Sequence, residues 1–215
     1  MKKKQPIILI GGGGHCISCI DVVEKTDQYE ILGILDVKAK VGTKIGKYEV
    51  IGTDDEIPKL TNKCANFLLS IGQIKSSSIR KEIYQKVKKF GGIFPVIISP
   101  LAYVSNNTYL EEGAVIMHGA IVNSFARIGK CVIINSKALV EHEAQIGNFC
   151  HISTGSVING QVNVKDYCFL GSNSVISNNI LIEENCIIGA GSVVMKDLTE
   201  SGTYYGNPLK KINNA

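Results

Sequence analysis

From Val104 to Val194 every sixth residue is aliphatic without a break: Val104, Leu110, Ile116, Val122, Ile128, Ile134, Val140, Ile146, Ile152, Ile158, Val164, Leu170, Ile176, Ile182, Ile188 and Val194. Two residues before each stands a small side chain such as Ala114, Ala126, Cys150 or Ser174, and only Val132, Val162 and Ile180 are larger. A helix of period 3.6 or a simple strand of period 2 cannot generate this pattern. Six residues make one flat side of a triangular coil, and 18 make a full coil. Strand alternation then turns positions i and i−2 inward, the aliphatic filling the coil and the small residue fitting beside a corner. The predicted fold is a parallel β-helix. Cys150, Cys168 and Cys186, each 18 apart at the small inward position, are expected to stack in its core.

The preceding segment follows a different pattern. An apolar strand, Ile7–Ile10, runs into Gly11-Gly12-Gly13-Gly14-His15 and then a helical pattern through Ile20, Val23 and Glu24. A second strand, Glu30–Leu35, ends at Asp36; Phe67–Gly72 reads as a third strand running into a loop. Ser78–Phe90 reads as a basic amphipathic helix capped by serines. Strand, glycine turn, helix, strand and acid is the order of a Rossmann-like βαβ half. The fingerprint is incomplete, because Cys16 stands where its third glycine belongs. Such a turn can hold a pyrophosphate on backbone N–H groups, which suits a nucleotide-sugar better than a complete NAD site. A glycine turn serving only chain reversal is the alternative. Gly91-Gly92, Pro95 and Pro100 interrupt periodicity. The expected division is therefore a Rossmann-like domain at 1–95, the β-helix at 96–198 and a C-terminal tail at 199–215.

Composition narrows the partners. A net charge of +4 comes largely from Lys2–Lys4 and Lys210–Lys211, which read as solvated tails. No aromatic-plus-basic motif accompanies them, so nucleic acid is not an expected partner. No apolar run reaches the ~20 residues of a membrane span, and the apolar stretch at 6–10 is too short for a signal sequence. The expected location is the cytoplasm, where the seven cysteines would be free thiols. Cys16 and Cys19 have redox-motif spacing but no flanking Trp or Pro, and the glycine turn explains the segment better.

Four histidines carry the candidate chemistry. His142, two residues beyond an inward aliphatic, should project outward from a corner. It is flanked by Glu141 and Glu143, either of which could fix the imidazole tautomer and leave the other nitrogen to accept a proton. His151 precedes the inward Ile152 and should point outward, toward a cofactor carbonyl or a subunit contact. His118, without an adjoining acid, reads as surface or interface. His15 closes the glycine turn, near a phosphate or sugar or as a helix cap. Gly155, Gly160, Gly171, Gly189 and Gly191 would bare the backbone for an extended ligand, although corners also need glycine for positive φ.

Taken together, the GGGGH turn, Leu35-Asp36, Ser70-Ile71-Gly72, Asn135, Glu141-His142-Glu143, His151-Ile152-Ser153 and Gly206-Asn207-Pro208 resemble the bacterial sugar acetyltransferases of the NeuD/PglD type. The resemblance covers nearly the whole chain. It implies an α/β Rossmann-like domain followed by a left-handed β-helix, assembled as a homotrimer with acetyl-CoA between adjacent solenoids and no metal. It implies His142 as general base oriented by Glu143. The substrate, a nucleotide-linked (UDP) 4-amino-4,6-dideoxy sugar, would be held by Gly11, Gly13, Gly14, His15, Asp36, Gly72 and Asn135. Acetyl-CoA would be held by His151, Gly160, Ser172, Ala190, Pro208 and Lys210, and an amide near Gly160 would stabilise the oxyanion. Two departures stand out: Gln73 where the family often has Asn, and Cys16 after the histidine. O-acetylation of a sialic-acid-like sugar and a non-catalytic trimeric scaffold are the competing readings.

Overall fold

The computed structural model describes residues 3–212, so Lys2 of the basic N-terminal run lies outside the described residues. The chain divides into two compact units, one of residues 3–72 and 78–97, the other of 73–77 and 98–212.

The first unit is a small α/β sheet. Strands β1 (Gln5–Ile10), β2 (Tyr29–Leu35), β3 (Lys44–Ile45), β4 (Tyr48–Gly52) and β5 (Asn66–Leu69) lie in the order β3-β4-β2-β1-β5. β4, β2, β1 and β5 are parallel, and β3 forms an antiparallel hairpin with β4. β1, β2 and β5 are the three strands expected from sequence, whereas the β3–β4 pair was not expected, because its polar, glycine-broken stretch carries no clear alternation. Ile7 to Ile10 and Phe67 to Leu69 are buried, as a parallel sheet covered on both faces requires. Helix α1 (Gly14–Thr26) crosses from β1 to β2, and α3 (Ser78–Lys89) follows β5, with α2 (Ile57–Leu60) a single turn before it. Strand order reverses direction at β1, so the loops after β1 and β5 diverge and leave a crevice at the carboxyl ends of the strands.

The second unit is a left-handed β-helix with three faces. Its first face stacks Tyr103–Val104, Ile121–Val122, Leu139–Val140, Val157–Ile158, Val175–Ile176 and Val193–Val194. The second stacks Tyr109–Leu110, Arg127–Ile128, Gln145–Ile146, Asn163–Val164 and Leu181–Ile182. The third carries Val115–Ile116, Ile133–Ile134, His151–Ile152, Phe169–Leu170 and Cys186–Ile188. Every pairing within the repeat is parallel and offset by 18 residues, for example Val140 with Ile158 and Ile152 with Leu170. From Ala114 onward both inward positions of every hexapeptide are buried. Each fully buried aliphatic contributes about 1.5–3 kcal/mol, and repetition over the coils makes the prism stiff.

The corners depart from the glycine expectation. A left-handed residue recurs every six positions from Gly113 to Gly191, fourteen in all, and ten are not glycine, among them Phe125, Glu143, Gln161 and Asn179. Gly160, Gly171 and Gly189 do not have positive φ; each is small because a neighbouring segment passes close by, the preceding coil at Gly160, the next coil at Gly171 and the terminal strand at Gly189. A Cβ on Gly171 would lie 2.6 Å from the Ala190 backbone nitrogen, and one on Gly189 would lie 2.8 Å from Tyr205 Cβ. After the last coil Gly202–Tyr205 joins the third face in parallel and then pairs antiparallel with Lys210–Ile212. Among the described residues no helix is long and apolar enough to cross a membrane.

Candidate functional site

In the first unit the four glycines divide into two kinds. Gly11 has φ +102°, and a Cβ there would meet Ile71; a Cβ on Gly12 would meet Ile45 and the Asp36 carboxylate. Around Gly13 and Gly14 there is open space within 4 Å. Gly13 is the N-cap of α1 and offers no side-chain hydrogen bond, and the first turn has no acid. No side chain crowds this helix start, and the amides of a first helical turn are the groups that receive an anion. His15 is the second residue of α1 rather than its cap, and its Cβ lies 3.4 Å from where a Gly72 side chain would begin. Ser70 donates from Oγ to the carbonyls of Ile10 and Gly11, tying the loop after β5 to the glycine turn. Cys16, at the missing third glycine, is fully buried, and burial raises its thiol pKa.

Asp36 clamps the same turn. Its Oδ2 accepts from Gly12 N at 2.9 Å and from Lys40 Nζ at 2.8 Å, and its Oδ1 accepts from Val37 N at 2.7 Å. Burial alone would raise this carboxyl, but the hydrogen bonds from Lys40, Val37 and Gly12 outweigh it and hold it below the usual carboxylate range. Lys40 was missed in the sequence, although its i+4 spacing from an acid was visible. Beside Asp36 opens a cavity of about 210 Å³, lined by Ile10, Leu35, Val37, Ile71, Ile79 and Ile83 together with Asp36 and Asp54. Flat aliphatic walls with a few polar groups suit a planar heterocycle. Gly11, Gly13, Gly14, His15, Asp36 and Gly72 are thus gathered at the carboxyl ends of β1, β2 and β5.

In the second unit His142 and Glu143 occupy the corner after the first face, and both are exposed. Glu143, left-handed at φ 59°, turns its carboxylate back so that Oε2 lies 3.3 Å from His142 Nδ1. An ionised carboxylate only accepts, so the contact favours the tautomer with the proton on Nδ1, which in a neutral ring leaves the lone pair on Nε2. Sequence left two acids as candidates, and geometry separates them. Glu141 Oε2 instead accepts from Asn123 Nδ2 at 2.9 Å, one coil back, and from His142 N at 3.3 Å. Gly160 lies one coil on from His142, and a Cβ there would stand 2.7 Å from both Cε1 and Nε2 of the ring.

His151 projects outward from the third face but is buried, contrary to an open outward histidine. Its Nδ1–H donates to the Gln73 carbonyl at 2.8 Å, and its Nε2 accepts from Asn135 Nδ2 at 3.1 Å. Phe169 packs edge-on against it at 5.3 Å. Gln73 lies outside the repeat, so the six-residue period carried no signal for this partner. Asn135 also accepts from Ser136 N through Oδ1. His118 is half-buried, with Nδ1 2.5 Å from Ser99 Oγ. Ser172 and Ala190 share the corner between the third and first faces, where Ser172 Oγ meets Ser153 Oγ at 3.0 Å. Pro208, after a cis peptide bond, and Lys210 are exposed in the terminal hairpin.

Within one chain the β-helix therefore holds two separate corners, with His142, Glu143 and Gly160 at one and Asn135, Ser172 and Ala190 at the other. Between them lies the first face, whose outward column is Tyr103 followed by the aliphatic Ile121, Leu139, Val157, Val175 and Val193. Among the described residues no group of three or more His, Cys, Asp or Glu side chains is placed to hold a metal ion.

Residues 6–87 match the PglD N-terminal domain, and residues 161–196 match the bacterial transferase hexapeptide (six repeats). Among solved structures, PerB from Caulobacter crescentus in complex with CoA and GDP-perosamine is 28% identical with a TM-score of 0.90, covering 99% of each chain. The acetyltransferase domain of PglB from Neisseria gonorrhoeae in complex with acetyl coenzyme A is 26% identical with a TM-score of 0.90, covering 98% of this chain and all of the other. WeeI from Acinetobacter baumannii is 22% identical with a TM-score of 0.85, covering 97% of this chain and all of the other, and shares the fold.

Proposed function

We infer, from the chain's membership of the NeuD/PglD type of hexapeptide-repeat sugar acetyltransferases, that it transfers the acetyl group of acetyl-CoA to the amino group of a nucleotide-linked 4-amino-4,6-dideoxy sugar. The protein is an acyltransferase, and acetyl-CoA is its cosubstrate. The observation that carries the reading is the oriented pair at the corner after the first face, with Glu143 Oε2 at His142 Nδ1 and Nε2 left basic beside Gly160. In the reaction the amine nitrogen attacks the thioester carbon while Nε2 takes its proton. The tetrahedral oxyanion then collapses, the C–S bond breaks, and the thiolate leaves with the proton returned from the imidazole. Base catalysis of this kind contributes about 10²–10⁴-fold, and alignment of the reactants contributes much of the rest. An amide near Gly160 is the proposed oxyanion donor.

The nucleotide is assigned to the first unit, its base in the aliphatic cavity and its diphosphate at the open start of α1. UDP is the nucleotide the resemblance implies; the Caulobacter relative holds a guanosine-linked sugar, so both belong in the substrate panel. Acetyl-CoA is assigned to the corner with His151, Ser172 and Ala190, continued by Pro208 and Lys210, and Asn135 beside His151 is assigned to the sugar. Because that corner and the His142 corner flank one face of a single β-helix, the proposal requires a second copy, and a homotrimer packed on the apolar column supplies it. Release of CoA is the assay, with UDP- and GDP-linked amino sugars and a sialic-acid-like acceptor compared. His142→Ala should lose at least about a hundredfold in kcat; near-wild-type turnover would remove His142 from its role. A monomer by light scattering that retains full activity would reject the shared site. Failure to bind acetyl-CoA in calorimetry would favour a scaffold.

A further inference from the structure

We propose that Gln161 is a positioning residue for the base, acting through Glu143; this rests on the general-base reading above. Gln161 stands 18 residues after Glu143, so it occupies the same corner one coil on, and both are left-handed, at φ 60° and φ 59°. Its backbone N–H donates to the His142 carbonyl at 3.0 Å, which fixes the spacing of the two corners. Its side-chain Nε2 donates to Glu143 Oε2 at 3.0 Å. That is the same oxygen that faces His142 Nδ1 at 3.3 Å. One carboxylate oxygen has two lone pairs, and here one receives the amide while the other is aimed at the imidazole.

The arrangement matters because Glu143 is about half exposed and sits on a flexible stem. Without a second tether its carboxylate would sample several rotamers, in many of which Oε2 no longer faces the ring. A neutral amide holds it without bringing a positive charge near the imidazole, whose proton affinity such a charge would lower. Gly160, the preceding residue, completes the cradle by leaving room for the ring itself. The next coil thus grips both members of the pair, the ring by an absent side chain and the carboxylate by a present one.

The test uses the full-length protein and steady-state release of CoA with a saturating amino-sugar substrate. Gln161→Leu should reduce kcat about fivefold to tenfold, the loss expected for one orienting hydrogen bond at a solvent-exposed site, where water weakens it below the range for a buried charged group. KM for both substrates and the melting temperature should stay near wild type, because Gln161 is exposed. In a Glu143→Ala background the same substitution should have no further effect. Charge at this position should move the acid limb of the kcat profile in opposite directions. Gln161→Glu favours the protonated imidazole and raises the limb by about half a pH unit, and Gln161→Lys lowers it similarly. Wild-type kcat in Gln161→Leu, losses that multiply with Glu143→Ala, or limbs that move together would each overturn the proposal. His142→Ala is run alongside: if it retains turnover, the base reading itself fails, whereas an inactive His142→Ala with a fully active Gln161→Leu rejects the role of Gln161 alone.

Discussion

Gly160→Ala isolates the geometry of the base from its chemistry. The added methyl would stand 2.7 Å from both Cε1 and Nε2 of His142, and the Asn178 Nδ2 is 3.3 Å from it on the other side. Ordinary contact begins near 3.4 Å, so the imidazole must retreat by about 0.7 Å or turn about its Cα–Cβ bond. Position 160 does not have positive φ, so alanine adds no backbone strain there. Alanine also keeps the amide N–H, so a role for that amide toward an oxyanion survives the substitution. Because His142 is exposed, the ring can move with little penalty to folding; the loss falls on alignment. The contact to Glu143, already long at 3.3 Å, breaks first. Misplacement by about 1 Å can reduce a rate by about a hundredfold, so a displacement of this size should lower kcat about 10- to 100-fold. The assay is release of CoA at saturating substrates, with the melting temperature and acetyl-CoA affinity measured on the same preparation. Wild-type kcat in a folded Gly160→Ala protein would refute the claim that the ring position above Gly160 is the working one.

Other consequences follow from packing and charge. Ile152→Ala empties a fully buried site in the middle of the coil stack and should reduce stability by about 2–5 kcal/mol in urea unfolding. Asp36→Asn weakens the clamp on the glycine turn and should lower stability near neutral pH by about 1.5–3 kcal/mol. The Asp36 carboxyl is held low, so its contribution is complete above the ordinary carboxylate value and disappears as pH falls through the depressed one. Urea midpoints measured downward from pH 5 should converge for the two proteins. The thiols of Cys16, Cys19, Cys168 and Cys186 are all raised, with burial a cause in each case and the contact to Cys150 leading for Cys168 and that to Cys168 leading for Cys186. Above about pH 9 the unfolded chain loses protons that the native chain keeps, so stability should fall as pH rises. The same thiols should resist an aromatic disulfide reagent until denaturant is added.

The six-residue period determined the β-helix by itself, because each inward pair, such as Ala138 with Val140 or Cys150 with Ile152, is buried by its immediate coil neighbours and needs no distant partner. The strand–glycine–helix order likewise announced the first βαβ unit, since Ile7–Ile10 and the turn after it are local in sequence. The β3–β4 hairpin was not legible: its few residues owe their place to β2 rather than to their own pattern. Which acid faces His142 was open in the residue pattern, where only the family resemblance pointed to Glu143, because Glu141 and Glu143 are equivalent in spacing. Their difference arises from side chains 18 residues away, Asn123 drawing Glu141 back and Gln161 holding Glu143 forward. Gly160 read as a glycine baring backbone for an extended ligand, with positive φ as the alternative; its φ is not positive, and the ring of His142 from the coil before lies where its side chain would be. His151 read as an outward side chain for a cofactor carbonyl or a subunit contact, whereas it is buried and bonded to the Gln73 carbonyl of its own chain. Local burial is written in the period of a chain, whereas the partners of a half-exposed polar group depend on which distant residues the coils bring level with it.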